Sequence, residues 1–305
     1  MNKLFVLPAG EDWIVDRFVN EWRNDNFDMN TNNPYDADVI WLMASWCWQH
    51  LPLHLLSTKK VVATIHHIYL EKFDDGKKQE FAARDQFVDV YHVYNQRTKE
   101  LIQTLTKKPI VLIEYWANQK IWKCTGTKEE FKKKYNLPSD AFVIGSFQRD
   151  SEGQDTTKPK LEKGPDLLRN YISSICNDWK IGKLKKAPHV MLAGWRRNYL
   201  IKELQELKIP YSYIERPQQN ILNELYQTLD VYPVTSRCEG GPQALIECGL
   251  LNVPVISRDV GIASQVLSQK AINDVVYNAI PEVPNVESWK LPFGYENYRK
   301  FFINL

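Results

Sequence analysis

Two carboxylates, Glu239 and Glu247, carry the clearest chemical pattern in the chain. They stand in VYPVTSRCEGGPQALIECGLLNVPVISRDVG, residues 231–261. The string reads as a strand, a Gly-Gly-Pro loop, a helix and a second strand. Gly240 and Gly241 let the backbone approach a ligand closely and leave amide donors facing it. Pro242 suits a first helical position, where its missing N–H costs nothing. The helix is apolar on most sides, and Gln243 and Glu247, four apart, share its polar face. A carboxylate on an otherwise buried helix is costly unless donors meet it. Glu239 at the loop tip and Glu247 inside the helix are placed to accept hydrogen bonds from a polyol, and vicinal sugar hydroxyls are such donors. Taken alone, the two acids favour a structural reading, Glu247 in a salt bridge and Glu239 solvated, since paired glutamates are common, so their surroundings decide.

Those surroundings are an alternation of short apolar runs and amphipathic segments along nearly the whole chain, the pattern of a parallel α/β architecture. In the first half, strands are expected at Lys3–Pro8, Val39–Ala44, Val61–Ile68, Val90–Tyr94 and Ile110–Tyr115, with a helix over Trp13–Asn24 on the spacing of Ile14, Phe18 and Trp22. The Lys-rich stretch Lys128–Asp140, closing on Asn-Leu-Pro-Ser-Asp, is a break signal. The second half then restarts with strands at Phe142–Phe147, His189–Ala193, Tyr211–Ile214, Val231–Val234 and Val253–Ser257. Helices over Pro165–Asn177, Asn198–Lys208, Asn220–Leu229 and Pro242–Leu251 separate them. Residues 151–163, SEGQDTTKPKLEK, read as a long flexible loop. Two such halves predict two facing Rossmann-like domains with a cleft between them, and open parallel sheets bind ligands at the carboxyl ends of their strands. The expected division is 1–137 for a first domain and 138–290 for a second, with 291–305 as a segment crossing back to the first.

The string around the two acids resembles the family 4 retaining glycosyltransferases. Their signature is a Glu, seven residues, then a second Glu, as EG(F/G)PxxxxE, followed by a GxPVIxxxxG strand and loop. Here it stands as Glu239-Gly-Gly-Pro-Gln-Ala-Leu-Ile-Glu247 and then Asn-Val-Pro-Val-Ile-Ser-Arg-Asp-Val-Gly261. The resemblance implies the GT-B fold, α/β with parallel sheets in two domains, and transfer from a nucleotide-sugar donor with retention and without a metal. By the same resemblance Glu239 meets the donor sugar's hydroxyls, Glu247 the ribose, and Gly240, Gly241 and Pro242 lie against sugar or phosphate. Lys163-Gly164 followed by Asp166-Leu-Leu matches the family's Lys-Gly and apolar helix, which makes Lys163 the cation for the leaving diphosphate, since fixed cations stabilise that charge without a metal. Ser146 occupies the place of the family's arginine, and Arg149, three residues on, is the candidate to replace it. His66, at the end of VVATIHH, corresponds to a histidine that faces the donor sugar, and Arg216 lies near the base. The family's Gly-rich loop after the first strand, which touches phosphate and acceptor, is reduced to Gly10 in Ala9-Gly10-Glu11-Asp12. Trp116-Ala117-Asn118 replaces its Gly-Val-Asp before the linker.

Other patterns are weaker. Asp36-Ala-Asp38 matches a metal-binding DxD but leads straight into the strand VIWLM, as a strand-entry turn does. Cys47, His50 and His54 have spacing suited to a metal, yet Pro52 lies between the histidines and no second ligand cluster follows. Neither GxGxxG nor GxxxxGK[ST] is present, which removes the usual evidence for a dehydrogenase or a P-loop kinase. A net charge of +2 argues against a nucleic-acid surface. Five scattered cysteines with no CxxC pair indicate neither a disulfide framework nor a zinc ribbon and suit a reducing, cytoplasmic compartment. The first apolar run is too short for a signal peptide, and no apolar stretch approaches a membrane span. Lys132–Lys134 and Lys183–Lys186 read as solvated faces, with peripheral contact to a membrane surface as the lesser reading.

The expectation is therefore a hexosyltransferase-like enzyme of glycan or glycoconjugate synthesis, such as cell-surface polysaccharide assembly. Its partners are a nucleotide-sugar donor and a glycan, lipid-linked or other hydroxyl acceptor, with no cofactor and no metal. The alternatives are a nucleotide-sugar epimerase or hydrolase on the same fold, and a non-catalytic nucleotide-sugar-binding protein.

Overall fold

A computed structural model describes residues 2–11, 14–153 and 156–305. The chain forms two compact units, Met1–Tyr115 with Pro292–Leu305, and Trp116–Leu291. The first division thus falls at 115/116 rather than at 137/138. The stretch between carries Trp116 and Trp122, both buried, and Ala117 bridges in parallel to Lys290 of the same unit. Residues 292–305 pack with the first unit.

In the first unit β1 (Leu4–Val6), β2 (Val39–Leu42), β3 (Lys60–Thr64), β4 (Val90–Val93) and β5 (Ile110–Leu112) form a parallel sheet in the order β1-β2-β3-β4-β5. They are shorter than their apolar runs suggest, so His66 and His67 lie beyond β3. Residues 29–31 pair with the outer edge of β1, where Leu4 N–H donates to Met29 O at 2.7 Å and Thr31 N–H donates to Leu4 O at 2.9 Å. The chain therefore steps to one side of β1 before crossing to β2 on the other. Helices α1 (Ile14–Asp25), α2 (Leu53–Thr58), α3 (Asp75–Asp85) and α4 (Gln96–Gln103) connect the strands. Trp13, expected at the start of α1, lies outside the described residues. On α1, Val15, Phe18, Val19 and Trp22 recur at helical spacing and are buried.

In the second unit β6 (Phe142–Ser146), β7 (Pro188–Ala193) and β8 (Tyr211–Ile214) pair in parallel, as do β9 (Tyr232–Val234) and β10 (Val255–Ser257). A parallel bridge between Ile144 and Val231, with Gly145 N–H donating to Val231 O at 3.0 Å, joins β9 to β6. The spatial order is β10-β9-β6-β7-β8. Its helices are α5 (Lys128–Lys134), α6 (Pro165–Lys180), α7 (Asn198–Glu206), α8 (Gln219–Tyr226), α9 (Gln243–Leu250) and α10 (Ala263–Val266). Strands such as β7, buried at every position, read as continuous apolar runs because helices cover both faces. The Lys-rich stretch expected as a break contains α5, closed by a capping box between Thr127 and Glu130.

Helix α11 (Phe293–Ile303) completes the first unit. Trp22 lies edge-on to Trp41 at 5.4 Å and to Tyr295 at 5.3 Å, with Phe302 at 5.9 Å. Beneath this aromatic cluster Trp41 Nε1–H donates to Thr64 Oγ1 at 2.8 Å. The Thr64 hydroxyl lies 3.0 Å from His92 Nδ1, and His92 Nε2 lies 3.0 Å from Ile113 O. A carbonyl only accepts, so His92 carries its proton on Nε2 and takes the threonine hydroxyl at Nδ1. Burial holds the His92 pKa down to about 3. All five cysteines are free. Among the described residues no helix is long and apolar enough to cross a membrane.

Candidate active site

The order β10-β9-β6-β7-β8 reverses direction between β6 and β9. In open parallel sheets a ligand crevice forms outside the carboxyl ends of the strands at such a reversal. The loops that leave β6 and β9 there carry Gln148 and Arg149 on one side and Thr235–Glu239 on the other.

Lys163 and Glu239 meet in this crevice, with Lys163 Nζ 2.7 Å from Glu239 Oε1. The Ser236 hydroxyl donates to the same oxygen at 2.8 Å, and Gln148 Nε2–H donates to Lys163 O at 3.0 Å. Two devices hold the loops together. Arg237 clamps Asp166 with bonds of 2.8 and 2.6 Å, donates to Leu161 O at 2.7 Å, and uses its backbone N–H on Glu162 O at 2.8 Å. Burial pushes the Asp166 carboxyl up, but the hydrogen bonds and charge of Arg237 outweigh it and hold that carboxyl below its usual value. The second device is Gly164, at φ +61°, where a Cβ would stand 2.0 Å from Thr235 O; only glycine admits that approach. Gly261, at φ +55°, likewise lets the loop after β10 lie against the Gly240–Gly241 backbone, where a Cβ would stand 3.0 Å from Gly240 O and Gly241 N.

Glu247 is buried on α9 and accepts the Tyr226 hydroxyl at 2.7 Å, so the cost of its burial is met from α8. Pro242 stands one residue before α9 rather than at its first helical position, with ψ 112°. Its ring thus directs the loop into the helix without entering it. Arg149 is half-buried in the loop after β6. The guanidinium against Ser146 belongs instead to Arg197, at the start of α7. Its Nη1 donates to Ser146 O at 2.7 Å and Ala193 O at 3.0 Å, its Nη2 to Ser146 Oγ at 2.8 Å, and its Nε to Asp150 Oδ2 at 2.8 Å. Sequence reading missed Arg197; its one signal was a pair of arginines just past the strand end, in Gly194-Trp195-Arg196-Arg197. Arg216, beyond β8, is exposed, and its guanidinium lies 4.1 Å from the Trp195 ring centroid, with Arg196 at 3.9 Å over the same ring. Both arginines have positive φ, 57° and 44°, conformations that tight turns impose on non-glycine residues at some cost. Residues 151–163, expected as a flexible loop, contain a Ser151–Pro159 antiparallel bridge and a helical turn over Leu161–Lys163.

His66 belongs to the first unit. Its Nε2 lies 3.0 Å from Met43 O, which fixes the proton on Nε2 and leaves the Nδ1 lone pair as an acceptor. Burial holds its pKa down to about 4. With His92 it makes a testable sign for stability. Unfolded imidazoles titrate at about 6.5, so below that pH the unfolded chain binds protons that the folded chain refuses. The urea midpoint is expected to be level from pH 8 to 7 and to fall as pH drops from about 6.5 towards 4. A His92→Gln variant should show a shallower fall.

Asp38 Oδ2 accepts the Lys3 backbone N–H at 2.9 Å, as a strand-entry turn requires. Among the described residues no group of three or more His, Cys, Asp or Glu side chains gathers as a metal site, so Cys47, His50 and His54 remain a spacing only. Asn118, in the turn that replaces Gly-Val-Asp, is buried and accepts from Lys120 N–H at 3.1 Å.

No protein-family model matches the chain, and none of the curated proteins is similar to it. Solved structures are. HepE of Anabaena, in complex with UDP, superposes at a TM-score of 0.68 with 13% identity over 91% of this chain and 88% of that one. Sucrose-phosphate synthase of Thermosynechococcus elongatus gives 0.60 and 17% identity over 85% and 64%. A UDP-forming α,α-trehalose-phosphate synthase of Burkholderia xenovorans gives 0.57 and 13% over 87% and 68%. At these identities the likeness speaks for architecture: parallel α/β sheets in separate domains, the fold of the GT-B glycosyltransferases.

Proposed function

We propose that the chain is a retaining glycosyltransferase that takes a sugar from a nucleotide-sugar donor without a metal ion, in glycan or glycoconjugate synthesis. The observation that carries this reading is the Lys163–Glu239 pair at the strand-order reversal of the second sheet. One group there suits a phosphate and the other a sugar hydroxyl. Structural neighbours with the same architecture hold UDP and UDP-glucose in their crystals, which makes uridine the first base to test.

In this reading the second unit holds the donor. The Lys163 ammonium, with Arg149, meets the charge that develops on the leaving diphosphate. Glu239 accepts from hydroxyls of the transferred sugar, the amides around Gly240 and Gly241 lie against sugar or phosphate beside Pro242, Glu247 takes the ribose, and Arg216 borders the base. His66, neutral and open at Nδ1, accepts from a donor hydroxyl. The bond from the anomeric carbon to the phosphate oxygen breaks as the bond to the acceptor oxygen forms on the same face. The acceptor's proton passes to the departing phosphate oxygen, so no protein carboxylate acts as nucleophile.

Thermal denaturation with UDP, GDP, ADP and CDP and their sugar forms, in EDTA, tests the donor half of the reading. One nucleotide class should raise the melting temperature, since a ligand at a hundred times its Kd stabilises by about 2.7 kcal/mol. Glu247→Gln should abolish the rise. A chain that responds to no nucleotide would not be a donor-binding transferase. Donor consumed with no acceptor present would mark a hydrolase or epimerase instead.

A further inference from the structure

Residues 29–31 bridge to one edge of β1 while β2 pairs with the other, so the chain leaves β1 and β2 in opposite directions, the arrangement beside which open parallel sheets bind ligands. The loops that leave these strands bring Glu11 and Trp46 together. Trp46 Nε1–H lies 3.3 Å from Glu11 Oε1, and the indole, 44% exposed, stands 5.8 Å from the His66 ring.

The backbone here is already committed. The N–H groups of Ala9 and Gly10 donate to Asp16 Oδ1 at 2.8 and 3.0 Å, and that of Glu11 donates to Asp16 Oδ2 at 2.8 Å. Three consecutive amides turned towards one point are the usual cradle for a phosphate. In this chain its own carboxylate fills that cradle. With Glu11 beside it, this end of the sheet carries negative charge and repels an anion.

We propose that Trp46 and Glu11 form a subsite for an uncharged sugar ring, and that the acceptor is a neutral glycan rather than a phosphate-bearing one. The assignment rests on the transferase reading above and adds the acceptor's chemical class. A flat, exposed indole offers its face to the C–H side of a pyranose, a broad contact with one polar tip. The Glu11 carboxylate accepts from a ring hydroxyl, and a hydrogen bond to a charged group is among the stronger kind. The three bonds to Asp16 fix the backbone of residues 9–11, which lowers the ordering cost of binding there.

The test is saturation-transfer NMR on the intact chain, with the methyl glycosides of glucose, galactose, mannose and N-acetylglucosamine as probes and glucose 1-phosphate beside them. With UDP present to fill the donor site, at least one neutral glycoside should receive saturation, and glucose 1-phosphate should receive none. Trp46→Ala should weaken the glycoside signal about tenfold. Trp46→Phe, which keeps an aromatic face, should retain most of it, and Glu11→Gln should fall between the two. No signal with any neutral glycoside, an unchanged signal in Trp46→Ala, or preference for the phosphate would overturn the subsite. The melting response to UDP, read on the same samples, separates this proposal from the one beneath it. A rise with UDP but no glycoside signal removes the subsite and leaves the donor reading standing. A Trp46-dependent glycoside signal with no nucleotide response supports the subsite and removes the donor reading.

Discussion

Lys163→Ala is expected to lower the rate of sugar transfer by about 10²–10³, the usual cost of removing one fixed group that meets transition-state charge. The effect should fall mainly on kcat, because charge on the diphosphate grows as the glycosidic bond breaks. The lysine's backbone is anchored separately, through Lys163 N–H to Lys160 O at 2.8 Å and Gln148 Nε2–H to Lys163 O at 3.0 Å. The fold should therefore survive, and the melting temperature of the free enzyme should move little. Glu239→Gln supplies the complementary arm. It removes the charge facing Lys163 and should weaken discrimination among donor sugars while preserving affinity for the bare nucleoside diphosphate. Steady-state rates with the donor found by denaturation screening, together with nucleotide titration, check both. Turnover unchanged in Lys163→Ala would remove Lys163 from the reaction.

Arg197→Met should cost about 3–5 kcal/mol of folding stability, the price of leaving a buried carboxylate without its partner. Arg197 is fully buried, and its guanidinium serves Asp150, Ser146 and Ala193 at once. Asp150 is itself buried and also accepts the Ser151 hydroxyl at 2.9 Å and Tyr199 N–H at 3.2 Å. The double variant Asp150→Leu with Arg197→Met removes both charges and should recover most of the loss, since well-packed apolar groups replace a buried pair at little net cost. Urea denaturation of wild type, single and double variants measures the difference. Equal losses in single and double variants would show that shape, not charge, decides this position.

The strands were legible because a parallel strand buried on both faces leaves a run of apolar residues that helical spacing does not mimic. Their ends were less so: Val61–Ile68 stops at Thr64, since nothing in the letters says where hydrogen bonding to a neighbour ceases. Helices with a periodic apolar face, such as α1 and α6, were equally readable. Helix α3 was not, because only Phe81 and Arg84 on it are buried. Helix α5 hid within a lysine-rich stretch, although Thr127 and Glu130 spelled its capping box. The division between units was misplaced because Pro138 and Ser139 give a louder break signal than the Tyr115–Trp116 junction, where two buried aromatics part company. At the candidate site, Lys163 and Glu239 lie 76 positions apart, and only a resemblance could set them together in advance. Arg197 had no such aid. Its partners come from two strand ends and a loop, an arrangement visible only in three dimensions. The same holds for Asp16, whose carboxylate fills a cradle that the shortened loop after β1 left unexplained.

Because α11 closes the first unit, the order in which the polypeptide is made differs from the order in which that unit can finish. When Tyr115 leaves the ribosome, Trp22 and Trp41 still lack Tyr298 and Phe302. Synthesis of Trp116–Leu291 comes between, roughly ten to thirty seconds at ~5–20 residues per second. Through that interval a nascent chain carries an uncovered indole pair on a sheet that is otherwise ready. Such a surface is a natural address for a holdase chaperone, and a nonsense mutation just before Phe293 would make the exposure permanent.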